Sequence, residues 1–306
     1  MTENQIQFLT SLHPGVEFKI FKSNDSELVA FTHPQGFKDL GYKVIFGFCK
    51  YGNDFRNLID ELEIWAKSKQ LQGLVGPLNF STVLDYRLRT NHFDRTPFLG
   101  EPQNSESEYQ MLKQIGFEML EKYESKQVFL SPSLMAELNP LQQVIQSGPL
   151  PKKYVLEAID LEKIENNLSE FYDLTHAIFQ ENFCYQKIPL DLFKSYFQSD
   201  LKPWICLKTS VVLKSAAGNP CGYALNFKDR RNPQNLLIKT VGVIPAERQM
   251  GLTFLMMLLE TFEKSISVYK TATLCLMKKG NFPDLISGQQ IQETYNYELM
   301  IKYLGS

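Results

Sequence analysis

The pattern of apolar and polar residues between positions 236 and 262 predicts a strand, a short loop and a helix. The run from Leu236 to Ile244 is apolar and rich in β-branched residues, which is typical of a buried strand. Pro245 ends this strand, because proline has no N–H group to donate to the ladder. The loop follows, and after it apolar side chains recur at helical spacing: Phe254, Leu255, Leu258, Leu259 and Phe262.

The first half of the chain alternates between strand and helix patterns. An apolar face recurs from Asp54 to about Lys69, and Asp54 is expected to cap that helix. The other elements predicted in this half are strands at 18–21, 26–32, 42–50, 71–75 and 117–127 and helices at 106–115 and 133–146.

A segment rich in proline and glycine, residues 147–153, is the predicted domain boundary. The elements predicted after it are strands at 154–159, 204–213, 221–227, 271–276 and 295–303 and helices at 160–183 and 190–198. The sequence therefore predicts an α/β protein of two domains, residues 1–148 and 153–306.

Composition agrees with two ordinary globular domains. The chain has 306 residues, of which 43% are hydrophobic and 12% aromatic. The net charge of −2 argues against a nucleic-acid partner. Residues 1–150 hold 14 Lys and Arg against 18 Asp and Glu, and residues 151–306 hold 18 against 16. The more basic half is the one that contains the loop after the apolar strand.

Cysteine and histidine usage predicts neither a disulfide framework nor a metal site. The five cysteines have no close pairs and the four histidines are scattered, so no zinc spacing is present. The first residues lack the basic-then-apolar pattern of a signal peptide. No apolar run approaches the length of about 20 residues that a membrane helix needs. We expect a cytoplasmic protein with reduced cysteines and no membrane partner.

The loop between strand and helix has the chemistry of an anion site. The first N–H groups of a helix have no intrahelical partner, and the helix dipole adds partial positive charge there. Gly251 carries no Cβ, so a phosphate oxygen can approach the backbone, and Arg248 can add a charge-assisted contact. The alternative is an ordinary turn whose glycine only relieves crowding.

These residues resemble a known signature. Val-x-Pro-x-x-Arg-x-x-Gly-x-(Gly/Ala), running from a strand into an amphipathic helix, is the acetyl-coenzyme A motif of the GNAT acyltransferase superfamily. Val243, Pro245, Arg248 and Gly251 match it, and Thr253 departs from it. The resemblance implies acetyl-CoA as the acyl donor, with coenzyme A as co-substrate. It implies cofactor contacts from Val241, Gly242, Val243, Arg248, Gln249, Met250, Gly251, Leu252, Thr253 and Asn281.

The first half resembles a degenerate domain of the same kind. The segment Gly76–Ser81, Gly-Pro-Leu-Asn-Phe-Ser, and the pair Gly116-Phe117 at a helix end are similar to those of bacterial tandem GNAT-like proteins. The resemblance implies two tandem domains, each with a mixed, largely antiparallel sheet flanked by helices. No phosphate loop precedes the first-half helix, so this domain is read as a scaffold or a wall of the acceptor site. Asn79 and Ser81 either line a site or cap a turn.

The reaction implied by the resemblance is acyl transfer to an amine by direct attack, which needs proximity and a path for protons. The thiolate leaving group needs an acid, and Tyr295 and Tyr297 are the candidates. Glu181 and His176, predicted on the helix 160–183, are the candidate bases. For each of these residues a solvated or core role is the alternative.

Three functions stay open at this point. The first is an N-acetyltransferase acting on a small-molecule or peptide amine. The second is a transferase of tandem GNAT fold that uses aminoacyl-tRNA, which the charge balance disfavours. The third is an acyl-CoA-binding or interaction protein without catalysis. The sequence gives no indication of the acceptor or of the oligomeric state.

Overall fold

The structure is a computed structural model that describes residues 1–148, 150–279, 286 and 288–305. No helix within this part of the chain is both long enough and apolar enough to cross a membrane. The cytoplasmic location stays a prediction.

Helices and strands are numbered in chain order. The α-helices are α1 (Glu3–Thr10), α2 (Phe55–Ser68), α3 (Glu106–Gln114), α4 (Pro132–Ser147), α5 (Leu150–Lys153), α6 (Leu161–Asn166), α7 (Leu168–Phe179), α8 (Leu190–Tyr196) and α9 (Leu252–Ser265). The strands are β1 (Glu17–Lys22), β2 (Glu27–Thr32), β3 (Val44–Lys50), β4 (Gly73–Gly76), β5 (Leu88–Arg89), β6 (Glu118–Phe129), β7 (Tyr154–Ala158), β8 (Val211–Ser215), β9 (Pro220–Lys228), β10 (Asn235–Val243), β11 (Thr271–Lys278) and β12 (Ile291–Tyr303).

Contacts along the chain define two compact units. Unit 1 comprises Met1–Tyr123, Glu181–Leu192 and Tyr295–Ser306, and unit 2 comprises Glu124–Gln180 and Phe193–Thr294. These units do not coincide with the predicted domains 1–148 and 153–306. Because compactness is a different property from a repeated fold, the predicted division stays a prediction.

Unit 1 is built on strands β1, β2, β3, β4 and part of β12, hydrogen-bonded in that order, with β5 beside β12. Pairing is antiparallel except between β3 and β4, which are parallel and connected by α2. The buried face of α2 packs on this sheet with the apolar residues that the helical spacing indicates: Phe55, Leu58, Ile59, Leu62 and Ala66.

Unit 2 repeats this order of elements. Strands β7, β8, β9 and β10 pair antiparallel, and β10 pairs with β11 in parallel after the connecting helix α9. The predicted class, a mixed and largely antiparallel sheet flanked by helices, is confirmed. Alternation along β8 separates the two faces of the sheet. Leu213 belongs to the apolar cluster of α4 and α9, whereas Val212 faces a cavity beside α7.

Two sequence predictions are wrong in unit 2. The helix predicted at 160–183 is broken at Asn167, whose backbone angles of φ −127° and ψ 42° are not helical, and it ends at Phe179. The strand predicted at 204–213 is mostly a turn, in which the N–H groups of Thr209 and Ser210 are donated to the carbonyl of Cys206. Apolar residues are buried here without a ladder, so the apolar run alone was misleading.

The predicted cap of α2 is also wrong. Asp54 precedes the helix but makes no side-chain bond to it. The carboxylate of Asp25, from the turn between β1 and β2, instead accepts the N–H of Asn53 at 2.8 Å and that of Asp54 at 3.4 Å. A Cβ at Gly52 would lie 2.4 Å from the carboxyl carbon of Asp25, so glycine is needed there. The helix start in unit 1 is thus supplied with an anion by the chain itself.

Replacing Asp25 by alanine is therefore expected to destabilise unit 1 in a pH-dependent way. The amide of Asn53, and then the hydroxyl of Ser26, lower the pKa of Asp25 in the folded protein. A lowered pKa adds stability above the unfolded-state value of about 4, and this stability is lost as the pH falls through the folded-state pKa. The melting temperature of Asp25→Ala should lie below that of the parent at pH 7 and approach it in acid.

The measurement exploits the two tryptophans, one in each unit. Trp65 lies on α2 in unit 1 and Trp204 in unit 2, so a Trp204→Phe background makes fluorescence report on unit 1. Asp94→Asn, an exposed carboxylate of the same unit, is the control. A deficit in Asp25→Ala that is equal at pH 7 and at pH 3 contradicts the assignment.

Candidate functional site

Strands β10 and β11 separate beyond Ile238. Their parallel pairing covers only Asn235–Ile238 against Thr271–Leu274, whereas β9 continues to pair with β10 as far as Val243. An irregularity in the β9 pairing lies between Ile238 and Thr240, and the N–H of Leu276 on β11 is donated to Ser125 Oγ at 2.8 Å. Within the described part of unit 2, Thr240–Val243 therefore have a strand partner on one side only.

The loop after β10 curls into a concave run of backbone. Arg248 is in the right-handed region, with φ −67° and ψ −23°, and the next three residues have positive φ of 45°, 54° and 89° at Gln249, Met250 and Gly251. A right-handed residue followed by left-handed ones forms a nest, in which successive N–H groups converge on a concavity that binds anions. Helix α9 starts directly after it, with Gly251 as its N-cap.

Space is open at this loop. A Cβ placed on Gly251 would meet no atom within 4 Å, and Met250 is 99% exposed. The positive φ of Gly251 is a conformation that glycine adopts without strain. The N–H groups of Gly251 and Leu252 also close short turns on Arg248 and Gln249. The loop thus has a fixed shape and an accessible outer surface.

Arg248 holds the loop rather than extending from it. Its Nε donates to the carbonyl of Val243 at 3.3 Å and one terminal nitrogen donates to the carbonyl of Ile178 at 3.2 Å. The arginine of the motif therefore ties the end of β10 to the end of α7. It contributes its positive charge from half-buried surroundings.

Thr253 has a related role. Its side chain is buried, and its hydroxyl lies 2.8 Å from the carbonyl of Glu247 and 3.0 Å from that of Arg248. The hydroxyl faces the inside of the loop, so a phosphate bond is left to the backbone. The departure from Gly or Ala at this position is explained by a brace across the loop.

Removing this brace should loosen the loop. Thr253→Val keeps the shape of the side chain but removes the hydroxyl donor from the carbonyl of Glu247, whereas that of Arg248 keeps the N–H of Gly251, and about 1 kcal/mol of unit 2 stability should be lost. Thr253→Ser keeps the hydroxyl and is the matched control. Urea unfolding followed by Trp204 in a Trp65→Phe background measures the difference. Equal stability of the valine and serine variants would rule out the brace.

The other motif positions lie on β10. Val243 is buried in the core shared with α9, and Val241 is half-buried at its edge. Gly242 is needed for close packing, because a Cβ there would lie 2.2 Å from Cγ2 of Ile178 and 3.1 Å from the ring of Phe179. Asn281 lies outside the described residues, so its contact stays a prediction.

A contact between Tyr154 and Glu247 that sequence reasoning missed also supports the loop. The buried Tyr154 donates its hydroxyl to Glu247 at 2.5 Å, in the turn between Pro245 and Glu247. Burial, and then the neighbouring carboxylate of Glu247, raise the pKa of Tyr154. The two residues are 93 positions apart, and no local pattern links them.

In unit 1 the equivalent gap lies between β3 and β4, and atoms of the protein itself occupy it. Strands β3 and β4 pair only at Val44 and Ile45 and then separate. The N–H of Leu78 is donated to Phe46 at 2.8 Å, and Asn79 Oδ1 accepts the N–H of Phe48 at 2.6 Å. A Cβ at Gly47 would lie 2.3 Å from the carbonyl of Leu78. Asn79 thus completes the edge of β3, which favours the capping alternative for this residue.

Ser81, the second residue with two interpretations, is buried within unit 1. Its hydroxyl donates to the carbonyl of Gln186 at 2.6 Å and accepts the N–H of the same residue at 3.1 Å. These bonds are structural. With Asn79 at the strand gap and Asp25 at the start of α2, both positions in unit 1 are occupied by protein atoms.

The candidate acids, Tyr295 and Tyr297, lie in unit 1, where both side chains contact other residues. Tyr297 is fully buried and donates its hydroxyl to Glu101 at 2.5 Å. The ring of Tyr295 is covered by the Arg95 guanidinium, whose carbon lies 3.7 Å from the ring centroid. Both roles as acids stay predictions.

The candidate bases lie near the end of α7. His176 is in the last turn of that helix, whereas Glu181 is exposed and follows the helix instead of lying on it. The expected placement of Glu181 on a helix was therefore wrong, because α7 ends two residues earlier. The catalytic role of either residue stays a prediction.

Comparison with known proteins identifies solved structures of similar fold. No protein-family model matches the sequence, and no curated protein matches it. Among solved structures, a conserved protein from Enterococcus faecalis V583, described as a probable N-acyltransferase, matches with a TM-score of 0.51 at 10% identity. The match covers 98% of this chain and 65% of that one.

Two further structures are similar over most of the chain. A GCN5-related N-acetyltransferase from Sphaerobacter thermophilus has 14% identity and a TM-score of 0.47, covering 92% of this chain and 82% of that one. A tandem GNAT protein from the clavulanic acid biosynthesis pathway has 11% identity and a TM-score of 0.41, covering 96% and 85%. At these identities the likeness to the three structures concerns the fold alone.

Proposed function

We propose that this protein is an acyl-CoA-dependent N-acyltransferase whose coenzyme site is formed by β10, the loop 244–251 and the start of α9. One observation carries the proposal. The unpaired edge of Thr240–Val243 runs directly into a nest of backbone N–H groups at a helix N-terminus. An extended edge next to an anion site is complementary to a ligand with an amide-containing arm and a diphosphate.

The nest and α9 supply the diphosphate contacts. The nest at Gln249–Gly251 offers N–H groups, although those of Gly251 and Leu252 also donate within the loop, and the dipole of the 14-residue helix α9 adds partial positive charge. No acidic side chain lies in the first turn of α9. The half-buried guanidinium of Arg248 strengthens the positive potential from behind the loop.

The edge of β10 supplies the contacts for the pantetheine arm. In an antiparallel pair, alternate residues direct their N–H and C=O groups away from the partner strand. Half of these groups on Thr240–Val243 therefore face an extended arm, which would add to the sheet as a peptide strand does, although the carbonyl of Val243 already accepts Nε of Arg248. One N–H near Val243 is the proposed donor to the thioester oxygen as negative charge develops there.

The chemistry follows from this placement. When bound, acyl-CoA supplies the acyl group as a thioester, which a neutral amine attacks without a protein nucleophile. The protein then has to align the amine, stabilise the oxyanion and provide proton transfer. Glu181 as base and Tyr295 or Tyr297 as acid are the proposed groups for proton transfer. The acceptor is proposed to be a small-molecule or peptide amine.

The experiment is a thiol-release assay on the full chain with acetyl-CoA and a panel of amines, preceded by acetyl-CoA titration in a calorimeter. We expect saturable binding and amine-dependent release of free thiol. Binding without release with any amine would support a non-catalytic acyl-CoA-binding protein. Failure to bind acetyl-CoA, together with salt-sensitive binding of aminoacyl-tRNA, would support the tRNA-dependent alternative and overturn the proposal.

A further inference from the structure

Unit 2 contains a cavity that the proposed coenzyme site does not use. Its volume is about 230 Å³, and it lies between helices α6 and α7 on one side and strands β7, β8 and β9 on the other. None of its lining residues belongs to β10, to the loop 244–251 or to α9. It is therefore separate from the proposed coenzyme contacts.

The helix break at Asn167 shapes this cavity. Helix α6 ends at Asn166 and α7 begins at Leu168, and Asn167 between them has non-helical backbone angles. The side-chain amide of Asn167 donates back to the carbonyl of Lys163 at 3.1 Å and fixes the end of α6. An unbroken helix, as the sequence pattern predicts, would follow a single axis here, so the change of direction at Asn167 helps to shape the space.

The inner walls of the cavity are apolar. In the sheet, Val212 pairs with Tyr223 on β9 and with Glu157 on β7, so these three side chains share one face. The ring of Phe171 on α7 lies 5.1 Å from that of Tyr223, centroid to centroid, and Ile164 and Leu174 complete the wall. A cavity of 150 Å³ with similar walls holds benzene. The volume here therefore suits one ring with a short substituent.

Charged groups lie among the lining residues and are not balanced. Glu157 and Lys214 form an ion pair at 2.5 Å and neutralise each other. Glu170 on α7 is exposed and has no hydrogen bond or ion pair with any described residue. Asp160 and Lys163 are the remaining charged groups of the lining. Outside the Glu157–Lys214 pair, the lining holds the carboxylates of Asp160 and Glu170 and the ammonium group of Lys163, so its net charge is negative.

We propose that this cavity is a binding site for a small primary amine with a single apolar ring. The ring would lie between Val212, Phe171 and Tyr223, and the ammonium group would pair with Glu170. An organic anion would bind more weakly because the excess carboxylate charge repels it. A neutral analogue would bind more weakly because it lacks the ion pair with Glu170. The proposal requires no coenzyme and is independent of the acyltransferase assignment.

The probes are phenethylamine, the neutral 2-phenylethanol and the anionic phenylacetate, each titrated into the full chain by calorimetry without acyl-CoA. We expect phenethylamine to bind at least about tenfold more tightly than 2-phenylethanol, and phenylacetate to bind weakest. Equal binding of the amine and the alcohol, or no binding of the amine, would overturn the proposal.

Three variants locate the binding. Glu170→Lys lies at an exposed position, so it should fold, and it should reverse the preference toward phenylacetate. Val212→Trp fills the cavity and should weaken the amine at least about tenfold. Glu162→Gln, an exposed carboxylate of α6 that does not line the cavity, should bind like the parent. An amine preference that persists in Glu170→Lys would place the binding elsewhere and contradict the proposal, whether or not Val212→Trp folds.

Discussion

Replacing Gly251 by glutamate is expected to abolish coenzyme binding. A side chain at this position must adopt a φ of 89°, which strains any residue other than glycine, and a carboxylate there would repel a diphosphate. A ligand at a hundredfold excess over its dissociation constant stabilises the folded protein by about 2.7 kcal/mol. Under conditions that give the parent this stabilisation, we expect Gly251→Glu to show no rise in melting temperature with acetyl-CoA.

The matched control is Gly218→Glu in the turn between β8 and β9. Gly218 also has a positive φ, 82°, and a Cβ there would also meet no atom within 4 Å. This variant therefore introduces the same backbone strain and the same charge at another turn of unit 2. Measured at 0.15 M salt, where the screening length is about 8 Å, it should keep the acetyl-CoA shift. If Gly251→Glu kept the shift as well, the loop would have no part in binding.

Replacing Glu101 by alanine is expected to cause the largest loss of stability in unit 1. This fully buried carboxylate forms an ion pair with Arg95, lies 3.6 Å from a nitrogen of Arg89, and accepts the hydroxyl of Tyr297 and the N–H of Phe98. Removing one partner of a buried charged network leaves the others uncompensated, which costs about 3–5 kcal/mol. Urea unfolding followed by Trp65 in a Trp204→Phe background measures the change.

Two further variants separate the contribution of the Tyr297 hydrogen bond from the general effect of removing a carboxylate. Tyr297→Phe removes one hydrogen bond to a charged group and should cost about 1.5–3 kcal/mol. Glu61→Ala, an exposed carboxylate on α2, should change stability by less than about 0.5 kcal/mol. A loss below about 1 kcal/mol in Glu101→Ala would show that the network contributes little. If Tyr297→Phe kept full stability but lost thiol release, a catalytic role for this tyrosine would gain support.

Local signals in the sequence predicted the elements that matter most for the coenzyme site. The apolar spacing of α2 gave its buried face, and Pro245 marks the end of β10 as expected. In α9 the predicted Leu258, Leu259 and Phe262 are buried, whereas the predicted Phe254 and Leu255 are half-buried. Gly251 combines a positive φ with an open approach, which is what the motif implies. These features depend on residues close together in the chain, so a pattern of a few positions is sufficient to predict them.

The remainder depends on long-range contacts. The anion at the start of α2 comes from Asp25, some 28 residues before the amides that it accepts, and the sequence pointed to Asp54 instead. The separation of β10 from β11 depends on strand pairing that no single segment encodes. Arg248 was expected to face a phosphate, but the carbonyls of Val243 and Ile178 hold its side chain. Helix α1, which begins with a capping box formed by Thr2 and Gln5, was not predicted.

A crystal structure of the protein with coenzyme A would test the proposed coenzyme site most directly. We expect the diphosphate within hydrogen-bond distance, about 3 Å, of backbone nitrogens of Gln249–Thr253, and the pantetheine arm along Thr240–Val243. A complex in which the diphosphate lies elsewhere, with the loop after β10 bare, would contradict this expectation.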